Sequence, residues 1–258
     1  TIILILTGLT TWQGLRNATY RDKYIFDVDA ILKGQERYRL FSSGFLHIGW
    51  LHYAFNMIAL LSFATRLEWE YGRLPLLGLY ALSLLGGSLY ALYVHRNHGD
   101  YRALGASGAV SGVVGASILA YPNSSIGLIL IPIEFTAWIF GLAYILITIF
   151  GLKRQMGNIG HSAHLGGTIT GMLLVLAWDN DIINRHPLIS LALLGPAILF
   201  SILIVRNPNV LILDRYWGET AHKLTNRKEP TIDEVLEKIK HKGMKSLTKR
   251  EREVLKKR

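Results

Sequence analysis

Gly105-Ala106-Ser107-Gly108-Ala109-Val110-Ser111-Gly112-Val113-Val114-Gly115-Ala116 and, further along, His161-Ser162-Ala163-His164-Leu165-Gly166-Gly167-Thr168-Ile169-Thr170-Gly171 are the stretches that decide the architecture. Both are apolar and glycine-rich, and both open on polar groups. Gly108, Gly112 and Ala116 recur every fourth residue in the first, as Ala163, Gly167 and Gly171 do in the second. Residues four apart share one face of a helix. Small residues on that face let two backbones approach closely in lipid, where association relies on packing contacts. The spacing predicts two membrane helices packed stripe to stripe, with Ser107 and His164 at the same depth.

Working outward, five further stretches are apolar enough for a helix in a hydrocarbon core, which takes about 20 residues, or fewer if neighbours shelter them. With the two above, the set is Thr1 to Leu15, Ile48 to Thr65, Leu74 to Val94, Gly105 to Tyr121, Phe135 to Leu152, Ala163 to Trp178 and Leu188 to Val205. The first begins with Thr, as a truncated N-terminus would, and lacks the basic flank and cleavage site of a signal peptide. Residues 16–46 read as one long loop, whose Tyr20, Tyr24, Phe26, Tyr38 and Phe41 suit the membrane interface. Beyond Pro208 the character changes. Thr231 to Lys240 and, more weakly, Ser246 to Lys257 carry apolar residues at helical spacing, a helical hairpin broken at Gly243.

Composition agrees with this division. The 258 residues are 50% hydrophobic and 18% charged, with mean hydropathy +0.29, whereas soluble domains carry about 25% charged residues. The formal net charge is +10, and Arg206 to Arg258 hold 15 Lys+Arg against 8 Asp+Glu, or 15 − 8 = +7 of it. A basic tail beside membrane segments points to lipid headgroups as partner, not nucleic acid. The absence of cysteine excludes thiol catalysis, zinc–thiolate sites and iron–sulfur clusters. The chain therefore reads as an all-α membrane protein, with a transmembrane domain over residues 1–206 and a small soluble helical tail over residues 207–258.

Polar groups inside membrane helices are costly and mark functional sites by default. Besides Ser107 and His164, they include His52 and Asn56, four apart on one helix face, with His47 just outside. A hydroxyl beside an imidazole is the minimal pair for nucleophilic catalysis: the imidazole takes the serine proton and returns it to the leaving amine. A helix start adds unpaired N–H groups and a positive dipole end, which suit a developing oxyanion, and His52 and Asn56 can add side-chain donors. Two other readings remain open at this point. His47, His52, His161 and His164 could surround a metal ion, although no acidic cluster accompanies them, or could relay protons. His95 and His98 read as a solvated surface loop, and His161 as a structural cap.

Taken in order, His47-x4-His52-x3-Asn56, Gly105-x-Ser107-Gly108 and Ala163-His164-x2-Gly167-x3-Gly171 resemble the rhomboid family of intramembrane serine proteases. The resemblance covers residues 1–178 and implies a bundle of six transmembrane helices, here with a seventh over residues 188–205. It implies that Ser107 is the nucleophile and His164 the general base and acid, with no aspartate, cofactor or metal. It also implies that His52, Asn56 and the Ser107 N–H hold the oxyanion, with His47, Gly105, Gly108, Gly167 and Gly171 in support. Arg39 stands where rhomboids anchor their first loop, and Glu68 with Gly72 resembles a Glu-x3-Gly whose expected role is a buried structural hydrogen bond. One departure is Ser111, where many members carry an aromatic residue that stacks on the histidine.

The implied substrates are transmembrane proteins cut in or near their membrane segments, at stretches that unwind locally, admitted beside Phe135 to Leu152 near Trp138. The rival readings are a non-catalytic relative that binds membrane clients, and a transporter or proton channel. The tail is similar to a module on some bacterial rhomboids, which implies a bacterial cytoplasmic (inner) membrane. The family's cytoplasmic N-terminus and seven crossings put the tail outside. The positive-inside preference puts it inside, so either Leu188 to Val205 falls short of spanning or the preference yields to a long tail.

Overall fold

A computed structural model describes residues 2–128, 131–154, 156, 159–207, 211 and 239–240. The chain divides into a unit over Thr1–Leu211 and another over Ile212–Arg258. Apart from Ile239 and Lys240, which are helical, the expected hairpin of the tail lies outside the described residues.

The first unit is an all-α membrane bundle. Its helices are α1 (Ile2–Arg16), α2 (Ala18–Tyr24), α3 (Val28–Leu32), α4 (Arg39–Ser42), α5 (Trp50–Tyr71), α6 (Arg73–His95), α7 (Ser107–Ala120), α8 (Ala137–Arg154), α9 (His161–Trp178), α10 (Asp181–Arg185) and α11 (Pro187–Arg206). Each of the seven apolar stretches is one of the longer helices. By length and composition α6, α8 and α11 each suffice to cross a membrane, and Arg39–Phe45 with α5, bent by 96°, makes a fourth candidate span. Helix α5 runs six residues past the apolar stretch, because Arg66, Glu68 and Glu70 continue it to the Gly72 corner. Gly72 has φ +91, a conformation that costs glycine no Cβ clash, so α6 starts at once in a new direction.

Helix α7 sits at the centre, flanked by α5, α6 and α9. Every residue from Gly108 to Leu119 is buried, as expected of a helix that is apolar all round. The small residues on α6, α7 and α9 allow this crowding. A Cβ on Gly87 would stand 2.6 Å from the Ala163 carbonyl oxygen, and one on Gly112 would overlap the Ser83 hydroxyl.

Residues 16–46 are not one loop but a folded cap. Asn17 and Asp27 accept hydrogen bonds from the Tyr20 and Ala30 N–H groups at 3.0 and 2.9 Å, as N-caps do, and so start α2 and α3. Strand β1 (Phe26–Asp27) pairs antiparallel with β2 (Arg102–Ala103), Phe26 opposite Ala103. Asp27 also receives the Arg102 guanidinium at 2.8 Å. This pair ties the cap to the segment leading into Ser107. A second hairpin, β3 (Ser125–Leu128) with β4 (Ile131–Thr136), joins α7 to α8.

Candidate active site

Ser107 is the first residue of α7 and His164 lies in the first turn of α9. The stripes beside them meet. A Cβ on Gly167 would overlap the Gly108 carbonyl oxygen, and one on Gly171 the Gly112 carbonyl oxygen, while one on Gly108 would lie 3.3 Å from Ala163 O and 3.6 Å from Ala163 Cβ. The two backbones are therefore in direct contact one residue from Ser107 and one residue from His164. Both residues are half-buried. Among the described residues neither side chain makes a hydrogen bond, an arrangement common in unliganded sites whose catalytic bonds tighten with substrate.

The approach to Ser107 is held by His47, which is buried. Its Nε2 accepts from the Ala106 N–H at 3.3 Å, and its Nδ1 lies 3.0 Å from Thr11 Oγ1. An Nε2 that accepts leaves the proton of a neutral ring on Nδ1, so His47 donates to Thr11. His47 thus braces α1 against the N-cap of α7 and occupies the Ala106 N–H. Thr11 was invisible to pattern reading because an isolated threonine on an apolar helix carries no signal of its own.

Gly105 has φ +139, where L side chains are strained, and a Cβ there would stand 2.8 Å from His52 Cε1 and 3.7 Å from Ser107 Oγ. His52 and Ser107 thus face the same small space, which the missing side chain keeps open. The His52 ring meets His47 edge-on, with centroids 5.0 Å apart. Asn56 is buried and its Nδ2 donates to the His52 carbonyl at 2.8 Å. An amide nitrogen carries two hydrogens, so one remains for another acceptor.

Arg39 is buried and donates to Glu36 at 2.6 Å and to the Asp22 and Ile25 carbonyls at 2.8 and 2.9 Å. Tyr38 and Arg39 both donate to Glu36, in that order of effect, and hold its carboxyl below the usual range. The clasp therefore stays charged as pH falls through the ordinary carboxylate value and loosens only below it.

Two expectations are corrected. Glu68 makes no buried bond: it pairs with exposed Arg73 at 2.9 Å, its own side chain 43% exposed, a pair worth about 0–1 kcal/mol. His95 and His98 are buried, not solvated. His95 stacks on Tyr101 with centroids 3.6 Å apart, and its Nε2 lies 3.2 Å from Ser162 Oγ. The 96–106 segment folds back over the start of α9, which its local polarity conceals. His161 Nε2 bonds the Met156 carbonyl at 3.1 Å. Among the described residues no group of three or more His, Asp or Glu is placed to hold a metal ion.

Tyr144 of α8 was not foreseen. Its ring lies 6.5 Å from that of His164 at 23°, and its hydroxyl is 2.6 Å from Ser111 Oγ.

With this geometry in view, the comparison with protein families is decisive. Residues 34–179 match the Rhomboid domain. The chain belongs to the rhomboid family. Residues 220–257 of the tail match a family of unknown function, DUF6576. Among curated rhomboid relatives, the mitochondrial Rhomboid protein 1 of Saccharomyces cerevisiae is 34% identical over 137 residues, covering 52% of this chain and 40% of that protein. RHOMBOID-like protein 5 of Arabidopsis thaliana is 34% identical over 147 residues, 54% of this chain and 43% of that protein. The Rhomboid protease GluP of Bacillus subtilis is 33% identical over 150 residues, 58% of this chain and 27% of that protein. The chain thus spans less than half the length of each of these relatives.

Proposed function

We propose that this rhomboid is an intramembrane serine endopeptidase that hydrolyses peptide bonds in or near transmembrane segments of other membrane proteins. The observation that carries the reading is the backbone contact between Gly108 and Gly167, which sets the start of α7, where Ser107 stands, beside the first turn of α9, which carries His164. Ser107 Oγ attacks the scissile carbonyl while His164 takes its proton. His164 then returns that proton to the leaving amine, and a water molecule activated by the same imidazole releases the acyl group.

The oxyanion falls to the Ser107 N–H, His52 and the remaining N–H of Asn56, around the space kept by Gly105. The Ala106 N–H is engaged by His47 and takes no part. Gly105, Gly108, Gly167 and Gly171 serve through close approach, and His47 and Arg39 by holding the chain that leads to Ser107. A 14-residue α7 is about 21 Å long, less than the roughly 30 Å of a hydrocarbon core. At least one of its ends therefore lies within the membrane thickness, where a buried peptide bond can be reached.

We assign catalysis to residues 1–206, with the core at 1–178 and the additional helix at 188–205, and leave residues 207–258 as an appended basic module. A bacterial cytoplasmic membrane remains our inference from the tail. The mitochondrial relatives in yeast, plants and fish lend it no support, and the Bacillus relative is compatible with it.

The test is labelling of the detergent-purified chain by a fluorophosphonate, with the modified residue mapped by mass spectrometry. Ser107 is expected to be labelled in the wild type and unlabelled in a folded His164→Ala variant, and Ser107→Ala should abolish cleavage of a transmembrane substrate. No labelling across several serine-directed chemistries in folded protein would replace the protease with the client-binding reading. Asn56→Ala, which removes one oxyanion donor, should lower kcat by about 10²-fold.

A further inference from the structure

Three helices meet over the His164 imidazole, and the third supplies a group that the dyad alone does not explain. Ser111 Oγ donates to the Ser107 carbonyl at 2.6 Å, a bond to the fourth residue back on the same helix. The Tyr144 hydroxyl lies 2.6 Å from that same Ser111 oxygen. A hydroxyl has a single hydrogen. Since that of Ser111 goes to the Ser107 carbonyl, the Tyr144 O–H must donate to Ser111. The bonds run in one direction, from Tyr144 through Ser111 to the backbone of the nucleophile. With the hydroxyl fixed, the Tyr144 ring stands nearly parallel to the His164 ring, within the 4.5–7 Å centroid range of offset stacking.

We infer that Tyr144 is a positioning residue for the dyad: its ring sets the plane of the His164 imidazole and its hydroxyl, held by Ser111, ties α8 to the first turn of α7. The inference rests on the protease reading above. An imidazole turns about a broad torsion at its second side-chain bond, so an aligned general base needs a surface that selects one plane. A second ring beside His164 among the described residues, that of His161, meets it edge-on at 6.3 Å and 74° and leaves a face for Tyr144. Ser111, buried and small, leaves the volume beside His164 for a ring from the neighbouring helix and satisfies its polar end. Because Tyr144 belongs to neither dyad helix, the alignment of His164 depends on where α8 stands. A displacement of α8 that breaks the Ser111–Tyr144 bond withdraws the ring.

The experiment compares the full-length wild type with Tyr144→Phe, Tyr144→Leu, Ser111→Ala and the Ser111→Ala/Tyr144→Phe double variant. For each, fluorophosphonate labelling of Ser107, kcat and KM on a transmembrane peptide, and thermal unfolding in the same detergent are measured. Tyr144→Leu, which removes the flat ring, is expected to lower labelling and kcat by about 30-fold, within the scale of 1 Å misplacement, with KM within about threefold. Tyr144→Phe keeps the ring and should restore most of that loss. Tyr144→Phe and Ser111→Ala both delete the Ser111–Tyr144 bond, and Ser111→Ala also removes the bond to the Ser107 carbonyl, so the double variant should be no worse than Ser111→Ala alone, as a double-mutant cycle reads it.

The inference is overturned if Tyr144→Leu labels like the wild type, if Phe is as damaging as Leu, or if the two mild substitutions add. The mild pair decides the last point even where Leu unfolds the protein. A folded wild type that fails to label overturns the protease reading itself, and this inference with it. A wild type that labels beside an equally active Tyr144→Leu overturns only the positioning role.

Discussion

The seam between α7 and α9 and the seam that holds α11 are built on opposite principles. In the first, backbone lies on backbone, with Gly167 against the Gly108 carbonyl and Gly171 against that of Gly112. In the second, side chains do the packing. Helix α11 buries Ser190, Leu193, Ala197, Phe200 and Ile204 along one stripe. An open groove of about 440 Å³ lies between it and α6 and α9, bordered by Gly86, Tyr90, Gly166, Thr170 and Ser201. Side chains can repack by changing rotamer, whereas two peptide planes in contact cannot. On the proposed reading, the rigid seam is the one that carries Ser107 and His164, whose geometry catalysis would have to fix, while α11 can be carried as an addition.

The largest effect is expected where that comparison is most exposed. Gly167→Val places a branched Cβ in the space of the Gly108 carbonyl, and because the overlapped atoms are backbone, no side chain can move aside to relieve the overlap. The cost should be about 3 kcal/mol, the upper range for overpacking, or more. It is measured as loss of folded protein in a thermal scan in detergent, with loss of Ser107 labelling. A Gly167→Val protein that folds and labels like the wild type would break the claim that the backbone contact is what aligns the dyad.

Much of this seam is legible in the sequence, because a four-residue repeat of small residues is a local pattern and the polar groups at its start stand out against lipid. Helix termini read well where apolar stretches end at charges, as at Arg73 and Arg206. They read less well where a helix outlasts its apolar part, as α5 does through Glu70. What escaped is non-local. Tyr144 meets Ser111 across 33 residues, and a tyrosine in an apolar helix is indistinguishable from an interface anchor until its partner is known. His95 and His98 looked like surface residues because their loop is polar. Both are buried in the fold, His95 at the end of α6 beside Ser162 and stacked on Tyr101. The cap over residues 16–46 is hidden for the same reason: its two-residue strand finds its partner at Arg102–Ala103, far along the chain.

A smaller effect sharpens the other side of the comparison. Tyr90 OH and Ser201 Oγ lie 3.0 Å apart and link α6 to α11. Ser201→Ala removes that bond at the edge of the open groove between α6, α9 and α11. The expected loss is about 0.5–1.5 kcal/mol, with Ser107 labelling unchanged. A drop in labelling without a drop in stability would mean that α11 is coupled to the dyad after all.

The smallest effect tests whether glycine is needed for contact or merely present. Gly78 lies within α6, and a Cβ built on it meets nothing within 4 Å. There the absence of a side chain only lowers helix propensity, so Gly78→Ala should stabilise the protein by about 0.5–1 kcal/mol. Set beside Gly167→Val in the same thermal scan, it separates the two uses of glycine. If Gly78→Ala destabilises, α6 is pressed against something at that face, and its glycines belong with those of the α7–α9 seam.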